Sequence, residues 1–478
     1  MTSGLRSALD VLLDPALAPI VEMVLVRDDG AIEAHAVDGM VRFDREGDVL
    51  EISGRNPLRD QATDRFAGLA NELGSLQPDR TSNSYPFAYD QAAQIFDHPA
   101  APDFCVIHTA AHNWADQGGH LGEHGSLDVV QARAPFIIAG AGVRAHGVIE
   151  RACKLVDVAP TVLALMGGHL ERTDGSVLDD LIDSDAAPPD QVVGFLWDGC
   201  NPNVLYDAAA RGEAPNVARL MSLGTTFGHG AMASLPTVTL ANHTSVLTGL
   251  HPGHHGILHN AWFDRATGKQ VITNSPATWH EASSWLFPGV ETIHDAVHRT
   301  WPTACTASIN EPTDAGADFS TFDFVRRGVP LERPPAPDDL PNADQRFVRP
   351  VKEYRWSSRV DHTTVQQFLG VWSGEYLGSD WPRPKFTWCN FSLTDAAFHE
   401  GGPHSEIARA SIRDTDARLG QILDGVERAG AWDRTAFFLV ADHGMEETKP
   451  GVSGDWGDAL RDAGIAHRDE AFGFIYLL

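Results

Sequence analysis

Short, nearly continuous apolar segments alternate with helical patterns along this chain, and they constrain its fold most. Apolar segments of this kind are typical of parallel strands that are covered on both faces of a sheet. They are FCVI (104–107), PFIIAG (135–140), VVGFLW (192–197), KFTWCNFSL (385–393) and AFFLVA (436–441). Helix-like patterns occupy 156–168 and 404–430. The alternation predicts an α/β fold in which a mostly parallel sheet lies between two layers of helices.

Three of these strand candidates lead into an aspartate. Asp198 follows VVGFLW, Asp395 lies just after KFTWCNFSL, and Asp442 follows AFFLVA. His399 comes four residues after Asp395, and His443 comes directly after Asp442. A single aspartate after a strand is usually a turn or cap residue, but three of them, two with a histidine, indicate a ligand site at the carboxyl edge of the sheet. Carboxylate and imidazole together favour Zn²⁺, and less often Mn²⁺ or Fe.

The composition excludes several classes of function. The chain has 478 residues, 43% of them hydrophobic, which predicts a globular protein, and a formal net charge of -29. That charge argues against wrapping of nucleic acid and against binding to anionic membranes. We expect the first residues not to act as a signal peptide, because Asp10 and Asp14 interrupt the apolar stretch. We also expect no membrane span, because no apolar segment is long enough to cross a bilayer. The five scattered cysteines fit reduced thiols, so we predict a cytoplasmic protein.

The segment LPTVTLANHTSVLTG (235–249) carries a specific resemblance. With HHGILHN (254–260) it resembles the nucleophile region of the alkaline phosphatase superfamily, and most closely the nucleotide pyrophosphatase/phosphodiesterase branch. The resemblance implies that Thr239 is the nucleophile and that Asn260 binds a phosphoryl oxygen. It also implies that two metal ions are held by the side chains of Asp198, Asp442, His443 and Thr239 and of Asp395, His399 and His124. By position alone, Thr239 also suits a helix N-cap.

His124 comes from GEHGS (122–126), a motif that the family carries after its Asp-His-Gly, whereas here it precedes it. The resemblance therefore implies a circularly permuted alkaline-phosphatase-like domain. Residues 1–170 would supply the usual end and 192–478 the usual beginning and middle, with an acidic linker at 171–191 and a loop-rich, cap-like insertion at about 265–380. Two alternatives stay open: two partial domains fused by chance, and domain swapping in which His124 completes a neighbouring chain's site.

The activity implied is metal-dependent hydrolysis of phosphate diesters through a phospho-threonine, at a site for two divalent ions. The substrate would be a small phosphate ester, with nucleotides among the candidates, and the sequence leaves a homodimer open. Three alternatives remain: a phosphomonoesterase, a phosphonate hydrolase of the same superfamily, and a non-catalytic relative that binds metal or phosphate. No Arg or Lys occurs between 221 and 264, which favours a diester because it carries less charge than a monoester.

Overall fold

A central sheet of eight strands, built from both the early and the late part of the chain, organises the computed structural model. The structure describes residues 1–76, 83–114, 119–329, 347, 352–471 and 473–478. In spatial order the strands of the central sheet are Phe319–Ser320, Thr306–Ile309, Phe386–Phe391, Gln191–Trp197, Thr435–Val440, Phe136–Gly140, Gly224–Phe227 and Gly147–Ile149. The first five run parallel to one another. The mixed α/β fold with a mostly parallel central sheet is thus confirmed.

The strand Phe136–Gly140 is antiparallel to both of its neighbours, Thr435–Val440 and Gly224–Phe227. Its apolar sequence predicts a buried strand, which is correct, but it does not reveal direction. Burial on both faces produces the same apolar sequence whichever way the strand runs.

A second, wholly antiparallel sheet of seven strands joins residues from both ends of the described chain. In spatial order these are His467–Glu470, Phe474–Leu477, Phe104–His108, Val21–Asp28, Ala31–Ala36, Gly39–Phe43 and Val49–Gly54. The expectation that residues 104–107 form a parallel strand of the central sheet is therefore wrong. This strand lies between two apolar clusters, with Phe104 and Val106 in one and Cys105 and Ile107 in the other. Burial on both faces again explains its apolar sequence.

The second sheet also packs behind the nucleophile region. The cluster that contains Cys105 and Ile107 includes Leu235, Leu240 and Ile257. The start of the helix Thr239–Thr248 is therefore fixed by apolar contacts with the early part of the chain.

The helices cover the sheets and the cleft. They are Ser3–Leu12, Leu69–Leu73, Ala88–Ile95, Val129–Ala132, Val158–Met166, Pro202–Ala210, Pro215–Ser222, Thr239–Thr248, Pro252–His255, Ile293–Thr300, Thr321–Arg326, Lys352–Ser373, Leu393–Gly401, Glu406–Arg428 and Trp456–Asp462. Two-stranded pairs form between Ala261–Asp264 and Lys269–Ile272, and between Glu375–Tyr376 and Ser379–Asp380. None of the described helices is long and apolar enough to cross a bilayer.

Part of the segment interpreted as a cap-like insertion, about 265–380, belongs to the central sheet instead. Thr306–Ile309 and Phe319–Ser320 extend that sheet beyond Phe386–Phe391. Residues 330–346 and 348–351 of the same segment lie outside the described residues. The segment interpreted as a linker, 171–191, packs closely on the fold: Leu181 is fully buried, and the Asp174 carboxylate accepts a hydrogen bond from the His251 amide (2.8 Å).

Candidate metal centre and active site

Two neighbouring parallel strands place the first pair of carboxylates. Asp198 follows Gln191–Trp197 and Asp442 follows Thr435–Val440, and the two strands are hydrogen-bonded in register. Since parallel strands end at the same edge of a sheet, both carboxylates reach one point. The Gly199 amide donates a hydrogen bond to Oδ1 of Asp442 (3.0 Å), which fixes that carboxylate against the first loop.

Asp395 and His399 lie one turn apart on the helix Leu393–Gly401, so their side chains share a face. Nε2 of His399 is 3.3 Å from Oδ1 of Asp395. Nδ1 of His399 donates to the carbonyl oxygen of Gly122 (2.7 Å), which fixes the orientation of the ring. The Thr394 hydroxyl donates to the Asp198 carbonyl oxygen (2.6 Å), so this helix is also tied to the first aspartate loop.

The early segment that contains His124 lies between the late loop and the nucleophile loop. Gly122–Glu123 pairs antiparallel with Glu446–Glu447, and Gly125 bridges to Thr237. Nδ1 of His124 donates to the Thr237 carbonyl oxygen (2.9 Å), and Nε2 lies 4.0 Å from Oδ1 of Asp395. The structure thus brings His124 to the late carboxylates within one chain.

His443 lies close to both Asp198 and Asp442 and also contacts His124. Its Nε2 is 3.1 Å from Oδ2 of Asp442 and 3.9 Å from Oδ1 of Asp198. Its ring stacks on that of His124 with centroids 3.7 Å apart. One imidazole therefore contacts both halves of the candidate centre.

At the candidate centre, five buried atoms of the kind that bind metals make no hydrogen bond of good geometry with another described residue, although His443 and Asp442 lie close together: Oδ1 of Asp198, Oδ1 of Asp395, Oδ2 of Asp442, Nε2 of His243 and Nε2 of His443. Unsatisfied polar atoms are costly when buried, and several on one cluster call for an explanation. Two groups of three residues have ligand atoms that all lie within 4.8 Å of one another. One group is His124, Asp395 and His443, and the other is Asp198, His243 and Asp442. The residues present therefore fit divalent cations.

The electrostatics also favour bound cations. Burial, together with the charges of Asp442 and Asp395, raises the pKa of Asp198 to about 8. So many carboxylates at one point repel one another, and a cation relieves that repulsion. Although burial opposes a charged ring, Asp395 raises the pKa of His399 to about 10 and Asp442 raises the pKa of His443 to about 9.

Thr239 begins the helix Thr239–Thr248 and lines the same cleft as Asp198 and Asp395. The N-cap interpretation of Thr239 is wrong, because Val238 occupies the cap position and Thr239 is the first helical residue. Oδ1 of Asn260 accepts a weak hydrogen bond from the Leu240 amide (3.4 Å), so the Asn260 side chain lies at the helix start, next to Thr239.

The cleft above these residues has a volume of about 430 Å³. Its outer wall combines aromatic residues with amides: Trp279, Phe322, Trp356, Asn274, Asn310 and Asn390. Trp356 belongs to the helix Lys352–Ser373, so the segment 265–380 contributes to the lining of the cleft.

The sequence did not indicate that His243 and Glu311 lie at this site. His243 is buried and its Nδ1 lies 2.9 Å from Oε2 of Glu311. Although burial opposes its charge, Glu311 and the neighbouring aspartates raise the pKa of His243 well above its usual value. Glu123 was also missed: it pairs with His120 (3.0 Å), whose ring lies 4.5 Å from that of His399. Glu311 is 68 positions from His243, and no local pattern signals such a contact.

A sequence model described as type I phosphodiesterase / nucleotide pyrophosphatase matches residues 192–478. An uncharacterized pyrophosphatase/phosphodiesterase of Schizosaccharomyces pombe is 25% identical over 288 residues, 58% of this chain and 49% of that protein. Ectonucleotide pyrophosphatase/phosphodiesterase family member 3 of Mus musculus is 25% identical over 266 residues, 55% of this chain and 25% of that protein. The match to these curated relatives thus covers half of their length or less.

Solved structures show weaker similarity. Murine ectonucleotide pyrophosphatase/phosphodiesterase 5 is 17% identical with a TM-score of 0.37, and the alignment covers 53% of this chain and 57% of that one. Phosphonoacetate hydrolase from Sinorhizobium meliloti 1021 is 20% identical with a TM-score of 0.33, over 57% of this chain and 59% of that one.

Proposed function

The chain belongs to the type I phosphodiesterase / nucleotide pyrophosphatase family, and from that membership and the geometry of the cleft we propose that it hydrolyses phosphate diesters by way of a phospho-threonine at Thr239. The proposal rests on one observation above all. Buried atoms of Asp198, His243 and Asp395 that make no hydrogen bond of good geometry with a described residue line the same cleft as Thr239. Nucleotides are candidate substrates, since the relatives are named for them.

Seven side chains would hold two divalent cations, for which Zn²⁺ is the best candidate because of the mixed carboxylate and imidazole ligands. One set is Asp198, Asp442, His443 and Thr239, and the other is Asp395, His399 and His124. When bound, such cations lower the pKa of a coordinated hydroxyl and neutralise charge on the phosphoryl oxygens.

The chain's own groups then perform two displacements. The Thr239 oxygen attacks phosphorus, the ester bond to the leaving alcohol breaks, and a phospho-threonine forms. Water then attacks the same phosphorus, which releases the phosphate monoester and restores the Thr239 hydroxyl. The Asn260 amide donates a hydrogen bond to a phosphoryl oxygen, where negative charge increases during attack; such a donor contributes about 3 kcal/mol.

The lining of the cleft favours a diester over a monoester or another dianion. Among the described residues that line it, none is Lys or Arg, and Glu353 and Glu400 are present. A monoester dianion needs an additional fixed positive charge that this wall does not offer. Diester hydrolysis is thus preferred over the phosphomonoesterase and phosphonate hydrolase alternatives.

The permuted order is part of the proposal. The early strands Phe136–Gly140 and Gly147–Ile149 fill the central sheet beside late strands, and His124 reaches the site from the same early part. This supports one catalytic domain assembled from both parts over two partial domains fused by chance. The short contacts of His124 within the chain likewise make a swapped arrangement unnecessary.

Kinetics with bis-p-nitrophenyl phosphate and p-nitrophenyl phosphate test the proposal. We expect the zinc-loaded protein to prefer the diester, Thr239→Val to lose at least about a thousandfold in kcat/KM, and Thr239→Ser to keep part of it. Metal content, measured in parallel, should stay unchanged in Thr239→Ser. A Thr239→Val variant with full diesterase activity would contradict the proposal.

A further inference from the structure

His243 faces the first pair of aspartates from the nucleophile helix, and we infer that it is an additional metal ligand, held in place by Glu311. The inference rests on the proposed function, because it concerns the cation assigned to Asp198 and Asp442. It adds an eighth side chain to the seven that the sequence indicates.

The contacts of Glu311 determine which nitrogen of His243 is available. Oε2 of Glu311 accepts from Nδ1 of His243 (2.9 Å) and from Nε1 of Trp388 (3.0 Å), and Oε1 accepts from the Thr313 amide (3.0 Å). Glu311 is fully buried, so this carboxylate is rigidly held. A ring that donates from Nδ1 presents Nε2 to its other neighbours. A carboxylate behind an imidazole is the usual support of a metal-binding histidine.

The distances around Nε2 are those of ligands that share one cation. Nε2 lies 3.8 Å from Oδ2 of Asp198 and 3.6 Å from Oδ2 of Asp442. A hydrogen bond would bring these atoms to roughly 2.7–3.2 Å. Two ligands at about 2.0–2.2 Å from one zinc ion, at a tetrahedral angle, are about 3.4 Å apart. Nε2 has no hydrogen-bond partner among the described residues, although it is buried.

The helix explains why His243 and the nucleophile act together. Thr239 and His243 are four residues apart in Thr239–Thr248, so their side chains share one face. Both line the cleft beside Asp198. One helix would thus deliver nucleophile and ligand to the same ion, and a shift of that helix would change both. Nε2 of His243 would have to be unprotonated to bind a cation, and the donation from Nδ1 to Glu311 leaves it free to be so.

Zinc titration of three variants tests the inference. In His243→Asn the amide nitrogen can replace Nδ1 as donor to Glu311, while nothing remains at the position of Nε2. Glu311→Gln removes the supporting carboxylate. His294→Asn is the control, because His294 is also buried and its ring nitrogens also have no hydrogen-bond partner among the described residues, but it packs on Phe386 away from the site.

We expect His243→Asn to weaken one of two zinc sites at least a hundredfold in chelator-buffered titrations, and Glu311→Gln to weaken the same site about 10–100-fold. The visible spectrum of the Co²⁺-loaded protein should change in His243→Asn and stay unchanged in His294→Asn. Zinc affinities within threefold of wild type in both site variants, with an unchanged Co²⁺ spectrum, would overturn the inference and show that His243 only donates to the aspartates.

Folding and diesterase activity, measured in parallel, distinguish a misfolded variant, a wrong function and a wrong ligand assignment. Circular dichroism of the metal-free proteins reports folding, and should His243→Asn fail to fold, Glu311→Gln decides the question by the same affinity criterion. A wild-type protein that binds zinc but hydrolyses no diester would contradict the proposed function and leave the ligand assignment standing. Normal turnover with wild-type zinc affinity in both variants would contradict only the ligand assignment.

Discussion

The imidazole rings of His124 and His443 stack with centroids 3.7 Å apart and planes inclined by 18°. One belongs to the first third of the chain and the other to its last tenth. Each ring also approaches an aspartate: Nε2 of His124 is 4.0 Å from Asp395, and Nε2 of His443 is 3.1 Å from Asp442. The candidate metal centre therefore needs both parts of the chain.

Replacement of His124 tests that dependence. In His124→Ala, Asp395 and His399 keep their places but lose an imidazole partner, so we expect the zinc content to fall from two ions to one per chain and diesterase activity to fall at least about a hundredfold. Metal analysis after gel filtration and initial rates with bis-p-nitrophenyl phosphate measure both effects. The buried His294 serves as control, and equal loss in His294→Ala would show a general effect on folding.

Replacement of Asn260 separates catalysis from metal binding. Its side chain contacts the start of the nucleophile helix but belongs to neither ligand set. In Asn260→Ala we expect kcat to fall about 10²–10³-fold, because a donor to the charged phosphoryl oxygen is lost, while both zinc ions stay bound. Steady-state kinetics with parallel metal analysis check this, and an unchanged kcat would refute the assigned role.

The sequence predicted those features that local pattern determines. The segments 192–197 and 436–441, which precede Asp198 and Asp442, are almost continuously apolar, and the structure confirms both strands within one residue at each end. Direction and partner were not predictable for Phe136–Gly140 and Phe104–His108, because burial on both faces leaves no alternation to interpret. The second sheet was missed because it pairs Phe104–His108 with Val21–Asp28 on one side and with Phe474–Leu477 on the other, and no local pattern indicates contacts between segments so far apart in the chain.

The candidate site likewise combines residues that local pattern reveals with residues that meet only through tertiary packing. Asp395 and His399 were recognisable because helical spacing places them one turn apart, whereas His243 and Glu311 meet only through tertiary packing. The place of His124 came from resemblance, since nothing in its local spacing indicates Asp395 as a neighbour. Metal identity is not encoded in these ligands alone, because carboxylate and imidazole serve several divalent ions.

Gly199 provides a test of packing at the metal centre. Its φ is +63°, and a Cβ there would lie 2.6 Å from Oδ1 of Asp395. Gly212 also has positive φ, +76°, but no atom lies within 4 Å of its Cβ position. We expect Gly199→Ala and Gly212→Ala each to lower the free energy of unfolding by about 1–2 kcal/mol through backbone strain.

Only Gly199→Ala should also displace Asp395, and so lower zinc affinity and diesterase activity by tenfold or more. Urea unfolding of the metal-free proteins and zinc titration measure the two effects independently. Wild-type zinc affinity in Gly199→Ala would mean that the close contact is relieved without movement of Asp395.

His254 gives a prediction for the pH dependence of stability. Its Nδ1 is 2.6 Å from Oδ2 of Asp174 and its Nε2 is 2.9 Å from Oδ2 of Asp97, which also pairs with Arg45. Although burial opposes the charge, the two aspartates raise the pKa of His254 above its usual value. The charged His254 ring therefore stabilises the folded protein fully below about pH 6.5, which is the usual pKa of histidine in an unfolded chain. This stabilisation is lost as the pH rises through the raised pKa of His254 in the folded protein.

In His254→Asn we expect the free energy of unfolding to fall by about 1–2 kcal/mol at pH 6 and by less at pH 9. Urea unfolding at both pH values measures this. His146→Asn is the control, since His146 is exposed and its ring donates to the carbonyl oxygen of Asp180 (3.1 Å). An equal loss at pH 6 and pH 9 in His254→Asn would show that the pair of carboxylates does not hold a charged ring.

The location of bound metal tests the central claim most directly. X-ray diffraction from crystals of the zinc-loaded protein, recorded on both sides of the zinc absorption edge, gives the positions of bound zinc without reference to any ligand assignment. We predict two anomalous peaks per chain at the floor of the cleft, one beside Asp198 and Asp442 and one beside Asp395, His399 and His124. A loaded crystal with no peak among these side chains would contradict the account.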